Sequence, residues 1–134
     1  MQMQQDQELP HESHSDEGRT ILIVEDDIGV GDFLVAVISQ ETSYRAYLVT
    51  DGFQALKAFN ANKIDLMILD YSLPQMNGIE LYDRLQALQG TSIPPVVMIS
   101  AHLPMSELAK RKLPGMHKPL ELQDFLDTID KMLT

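Results

Sequence analysis

The sequence predicts an α/β domain built on a doubly wound, five-stranded parallel sheet, with a short or irregular fourth helix. Three observations predict it. Five short apolar runs alternate with five stretches of helical spacing, the order that sets crossover helices between parallel strands. Runs such as Ile21-Leu22-Ile23-Val24 are continuous rather than alternating, as strands covered on both faces are. A chain of 134 residues, 44% of them apolar, suits one domain that buries roughly two-thirds of its unfolded surface.

The elements follow in order. Ile21 to Val24 is the first strand. Ile28 to Glu41 carries Val30, Phe33, Leu34, Val37 and Ile38 at helical spacing. Tyr44 to Val49 reads as a second strand, closed by Thr50-Asp51-Gly52. Phe53 to Asn60 is a short helix with Ala55, Leu56 and Phe59 inward. Ile64 to Leu69 is a third strand that runs into Asp70. Pro74 to Gly78 is a loop. Ile79 to Leu88 is a third helix, with Ile79, Leu81, Tyr82, Leu85 and Leu88 as its apolar positions. Pro95 to Ile99 is a fourth strand, and Met105 to Leu113 a weak helix between Pro104 and Pro114. Met116-His117 is a very short fifth strand. Leu120 to Leu133 is a helix with Leu122, Phe125, Leu126, Ile129 and Leu133 on one face. The methionines at 67, 76, 98, 105 and 116 read as core and loop filler, because their spacing follows burial.

Composition removes several function classes. With no cysteine, disulfides, thiolate zinc sites and cysteine nucleophiles are excluded. Ten basic residues against 20 acids give a net charge of -10, so no basic stripe forms and direct nucleic-acid binding is not expected. No apolar run reaches the roughly 18 residues of a membrane span, so membrane insertion is not expected either. A polar, acidic start argues against a targeting peptide and for a cytoplasmic protein. Residues 1–18 hold four Gln and five acids with no Lys or Arg, which predicts a disordered tail ahead of a domain over residues 19–134. His11 and His14 in that tail read as solvated residues, since nothing there would fix them as ligands.

In open α/β sheets, ligands bind beyond the carboxyl ends of the strands. Glu25, Asp26 and Asp27 follow the first strand, Asp70 the third, Ser100 the fourth, and Lys118 with Pro119 the fifth. If the central strands are adjacent, these residues converge. Crowded carboxylates need a cation unless their pKa values rise. Hard oxygen donors without His or Cys point to Mg²⁺. Such a site suits phosphoryl transfer: the ion and Lys118 would neutralise the transferred oxygens, one carboxylate could serve as nucleophile, and Ser100 could donate its hydroxyl. Singly, these residues have plainer readings. Asp26 or Asp27 could cap the first helix, and Lys118 could simply pair with Asp70. Four of them converging favours a site.

Four motifs carry a resemblance to the receiver domain of two-component response regulators. They are Ile21-Leu22-Ile23-Val24-Glu25-Asp26-Asp27; Leu66-Met67-Ile68-Leu69-Asp70 with Leu73-Pro74-Gln75-Met76-Asn77-Gly78; Val96-Val97-Met98-Ile99-Ser100-Ala101; and His117-Lys118-Pro119-Leu120. Their order and spacing fit that family from Thr20 to the C-terminus. The resemblance implies a flavodoxin-like (βα)5 receiver fold. It implies Asp70 as phospho-acceptor, Asp26 and Glu25 as Mg²⁺ ligands with Asp70 and the Ser72 backbone carbonyl, and Ser100 and Lys118 as contacts of the phosphoryl group. Ala101 would leave that group room, the Lys118-Pro119 bond would be cis, and Asp27 would cap the first helix. It further implies a signalling module rather than a metabolic enzyme. The phosphoryl donor would be a sensor histidine kinase or a histidine phosphotransfer protein, and output would pass by protein contact or phosphorelay. As the chain ends after its fifth helix, a stand-alone receiver is expected.

Two departures from the family pattern stand out. Gly115 occupies the place of an aromatic residue three before the lysine, and the stretch from Ser100 to Lys118 is about four residues short. His102 either positions the water that removes the phosphoryl group or is an ordinary exposed loop residue. Tyr71 reads as lining the site loop and Tyr82 as core. Three rival readings compete with this one. An aspartyl-phosphate phosphatase needs an acid where Ser72 stands. A dinucleotide fold needs a third glycine after Gly29 and Gly31. A receiver-fold adaptor that binds its partner without phosphorylation is favoured by Gly115 and opposed by the complete acidic site.

Overall fold

The computed structural model describes residues 18–134; the acidic tail, with His11 and His14, lies outside the described residues. The elements are β1 (Thr20–Val24), α1 (Ile28–Glu41), β2 (Arg45–Val49), α2 (Gly52–Ala61), β3 (Leu66–Asp70), α3 (Gly78–Gln89), β4 (Val96–Ser100), α4 (Met105–Arg111), β5 (Gly115–His117) and α5 (Leu122–Leu133). The five strands form one parallel sheet in the order β2-β1-β3-β4-β5. This is the flavodoxin-like order of a doubly wound sheet.

Strand alternation builds two cores from the continuous apolar runs. Leu22, Val24, Met67, Leu69, Val96 and Met98 face one side, against Ala55 and Ala58 of α2, Leu81 and Leu85 of α3, and Leu108 of α4. Ile21, Ile23, Leu66, Ile68, Val97 and Ile99 face the other, against Leu34 and Ile38 of α1 and Phe125 and Ile129 of α5. Both faces of β1, β3 and β4 are thus buried, which is why these strands read as unbroken apolar runs.

Caps set the helix starts. Asp27, Asp51, Asn77 and Glu121 each accept a backbone N–H of the first turn, and Asn77 forms a reciprocal box with Glu80. The Glu121 cap starts α5 at Leu122, later than the apolar pattern predicts from Leu120. Asp65 starts β3 pairing late as well: its carboxylate accepts the Thr20 amide at 2.8 Å, so Ile64 is buried but precedes the strand. The short α4 is borne out at seven residues; it ends at Arg111, two residues before the predicted Leu113, and Lys112 caps it in the left-handed region.

The helix faces need four corrections. Phe33, Leu88 and Leu122 lie at helical spacing, yet each is exposed. In α2, Ala58 takes the buried place, while Leu56 and Phe59 are half-buried at its margin. A small residue lets α2 approach the sheet where a larger one would hold it away. Met67, Met76 and Met98 are core, as predicted, but Met105 is exposed at the start of α4.

Candidate functional site

The strand order changes direction between β1 and β3, so a crevice opens at their carboxyl ends. Glu25, Asp70 and Ser100, from the ends of β1, β3 and β4, are all buried polar residues at this edge. Asp26 is exposed at the rim. Lys118 reaches in from the loop after β5, where its amide donates to the Ser100 carbonyl oxygen at 2.9 Å. The Lys118-Pro119 bond is cis.

Lys118 Nζ lies 2.7 Å from Glu25 Oε1 and 3.5 Å from Asp70 Oδ2. The second Glu25 oxygen accepts the Asp27 amide at 3.1 Å. Asp70 Oδ1 accepts the Ser72 amide at 3.2 Å, and Ser100 Oγ accepts the His102 amide at 3.0 Å. Asp27 turns away to cap α1 through the Val30 amide. Burial, followed by contact with Glu25 and its charge, pushes the Asp70 carboxyl up to about 7, against the pull of Lys118 and the Ser72 amide. Burial works against the charge on Lys118, but contact with Glu25 and the Asp70 charge outweigh it and hold its pKa above the ordinary value.

One carboxylate oxygen from each of Glu25, Asp26 and Asp70 lies within 4.8 Å of the other two. Two of these carboxylates, those of Glu25 and Asp70, share the Lys118 ammonium. Glu25 Oε1 is buried and meets that ammonium as an ion pair without an aligned hydrogen bond, which leaves it lone pairs to spare. An all-oxygen, electron-rich set of this kind fits Mg²⁺. The structure thus brings Glu25, Asp26, Asp70, Ser100 and Lys118 to one edge, with Ser72 two residues beyond Asp70. His102 and Ala101 are exposed on the adjoining loop, Tyr71 is half-buried against the core, and Tyr82 is core. Sequence reasoning missed the preference of Lys118 for Glu25 over Asp70. It placed Gly78 in the loop and the motif but missed its role: the Gly78 amide donates to the Tyr71 carbonyl at 2.8 Å and holds the loop after Asp70.

A family model described as the response regulator receiver domain matches residues 21–130. The uncharacterized transcriptional regulatory protein YbdJ of Bacillus subtilis (strain 168) is 34% identical over 123 residues, which cover 87% of this chain and 51% of that protein. The chain thus spans about half the length of that relative. Sporulation initiation phosphotransferase F of the same organism is 29% identical over 115 residues, covering 84% of this chain and 92% of that protein. Among solved structures, the receiver domain of sensor histidine kinase PA1611 from Pseudomonas aeruginosa PAO1 superposes with a TM-score of 0.75 at 22% identity. That match covers 87% of this chain and 98% of the other, whose structure holds a magnesium ion coordinated in its active-site cleft.

Proposed function

As a chain that belongs to the response regulator receiver domain family, this protein is a signalling domain, and we propose that it accepts a phosphoryl group on Asp70 from a histidine kinase or a histidine phosphotransfer protein. The observation that carries this reading is the meeting of Asp70, Glu25, Asp26 and Lys118 at one sheet edge. In the transfer, a carboxylate oxygen of Asp70 attacks phosphorus. The P–O bond forms as the P–N bond to the donor imidazole breaks, and the electron pair leaves with the imidazole nitrogen. Lys118 balances charge on the transferred oxygens, and the Ser100 hydroxyl donates to one of them. Asp26, Asp70, the Ser72 carbonyl and Glu25 would hold Mg²⁺, which supplies charge neutralisation and orientation when bound. Output then passes by protein contact or onward phosphotransfer.

The test is to incubate the protein with Mg²⁺ and a small phosphodonor and to record intact mass. The expected result is a gain of one phosphoryl group that is lost in Asp70→Asn and in EDTA. A gain that persists in Asp70→Asn sinks the assignment. A partner captured equally by wild type and Asp70→Asn would support the phosphorylation-independent adaptor instead.

A further inference from the structure

The space beside Gly115 is filled from the opposite side. A Cβ at this position would meet Leu108 Cδ1 at 2.9 Å and the two Leu103 methyls at 3.0 and 3.2 Å. Leu103 is half-buried and packs with the buried Leu108 on the core beneath α4. We infer that Leu103, seated over Gly115, is the movable part that links the state of Asp70 to the position of α4. This rests on Asp70 being phosphorylated.

Leu103 hangs three residues beyond Ser100, on a turn that the His102 amide closes onto Ser100 Oγ at 3.0 Å. Ser100 follows Ile99, the residue paired with Asp70 across β3 and β4. A hydroxyl has one proton to donate. A phosphoryl group on Asp70 brings about 1.5 to 2 negative charges and strong acceptor oxygens, so that proton turns toward it. The hydroxyl keeps a lone pair for the His102 amide while it donates, so as Ser100 Oγ swings toward the phosphoryl group the amide bonded to it follows. The loop from Ala101 to Pro104 then shifts and carries Leu103 across Gly115, where the missing Cβ leaves it room beside Leu108 Cδ1.

The side-chain ties of the helix beyond to α3 lie at its C-terminal end. Arg111 at its C-terminal end binds Asp83 of α3 through Nε at 2.7 Å and Nη2 at 2.8 Å. At the other end Pro104 supplies no side-chain cap. A seven-residue helix clamped at Arg111 and displaced at Leu103 tilts about its clamp, and the exposed Met105 in its first turn travels furthest.

The experiment labels leucine methyls with ¹³C in the full chain and records spectra with Mg²⁺ before and after a small phosphodonor, while intact mass measures phosphoryl uptake. The Leu103 peak is assigned by its loss in Leu103→Ile. The expected result is a shift of the Leu103 methyls and the Gly115 amide in wild type. In phosphorylated Ser100→Ala the Leu103 methyls should stay at their starting positions. Full phosphoryl uptake with Leu103 unmoved, or the same shift in Ser100→Ala as in wild type, overturns this inference and leaves the proposed function standing. No phosphoryl uptake by wild type overturns both.

Discussion

Lys118 Nζ sits 2.7 Å from Glu25 Oε1, closer than it sits to Asp70. Glu25 is wholly buried, so this ammonium is first the counter-charge of Glu25 and only then a neighbour of the proposed phospho-acceptor. Lys118→Met should therefore cost stability as well as phosphoryl transfer. Removing one partner of a buried pair costs about 3–5 kcal/mol; Lys118 is 21% exposed, which puts the expected loss near the lower end. Glu25→Gln combined with Lys118→Met should recover much of it in a double-mutant cycle read by urea unfolding in EDTA. Strictly additive losses would mean that the contact contributes nothing.

The raised pKa of Asp70 has a defined sign. Between the ordinary value of 3.8 and about 7, the folded protein keeps a proton that the unfolded chain has released. Stabilisation from this group is therefore full below 3.8 and lost as pH rises through about 7 in metal-free protein. Across that window the unfolding free energy should fall by on the order of a few kcal/mol. Asp70→Asn should flatten the slope, and Mg²⁺ should restore most stability at its upper end. Chemical denaturation across pH, with and without Mg²⁺, checks this; a slope that Asp70→Asn leaves unchanged would contradict it.

Gly78→Ala should damage both fold and site. A Cβ there would lie 2.8 Å from the Asp70 carbonyl oxygen and 3.0 Å from Tyr71 Cα, backbone atoms that cannot step aside. Overpacking of this kind costs about 1–3 kcal/mol, more than the ~1 kcal/mol helix preference of alanine over glycine. Gly31→Ala in α1 meets only the flexible tip of Leu48 and should cost less. Thermal melts would rank the two, and slower phosphoryl uptake should accompany only Gly78→Ala.

Arg111→Met should release α4. Its hydrogen bond with Arg111 holds the Asp83 carboxyl below the ordinary value, so this stabilisation is present above about 3.8 and lost as pH falls. The Asp83 side of the pair is about half exposed, which limits its worth to about 0.5–1 kcal/mol and makes it sensitive to salt. Amide exchange in α4 should quicken in Arg111→Met at neutral pH and converge with wild type in acid. Equal exchange at neutral pH would show that α4 is held elsewhere.

Much of the architecture was legible in local pattern. The apolar runs of β1, β3 and β4, the cap at Asp27, and the polar residues that end the strands are short-range signals, and the sheet turns them directly into two cores and one crevice. The helix faces were less legible. Periodicity places Phe33, Leu88 and Leu122 at helical spacing, but a helix lying on a flat sheet buries only a narrow strip, and its margins depend on how closely it approaches.

By itself, the sequence determined the doubly wound α/β order, the shortness of α4 and the acids, hydroxyl and lysine at the ends of the strands. Only the tertiary structure decided that Lys118 pairs most closely with Glu25, that a side chain at Gly78 would press on the backbone of Asp70 and Tyr71, and that Leu103 and Leu108 fill the space beside Gly115. Backbone pattern and capping act within a few residues and leave their mark in the chain. Charge pairing and close packing depend on distances between residues far apart in sequence, and those exist only once the strands have taken their places.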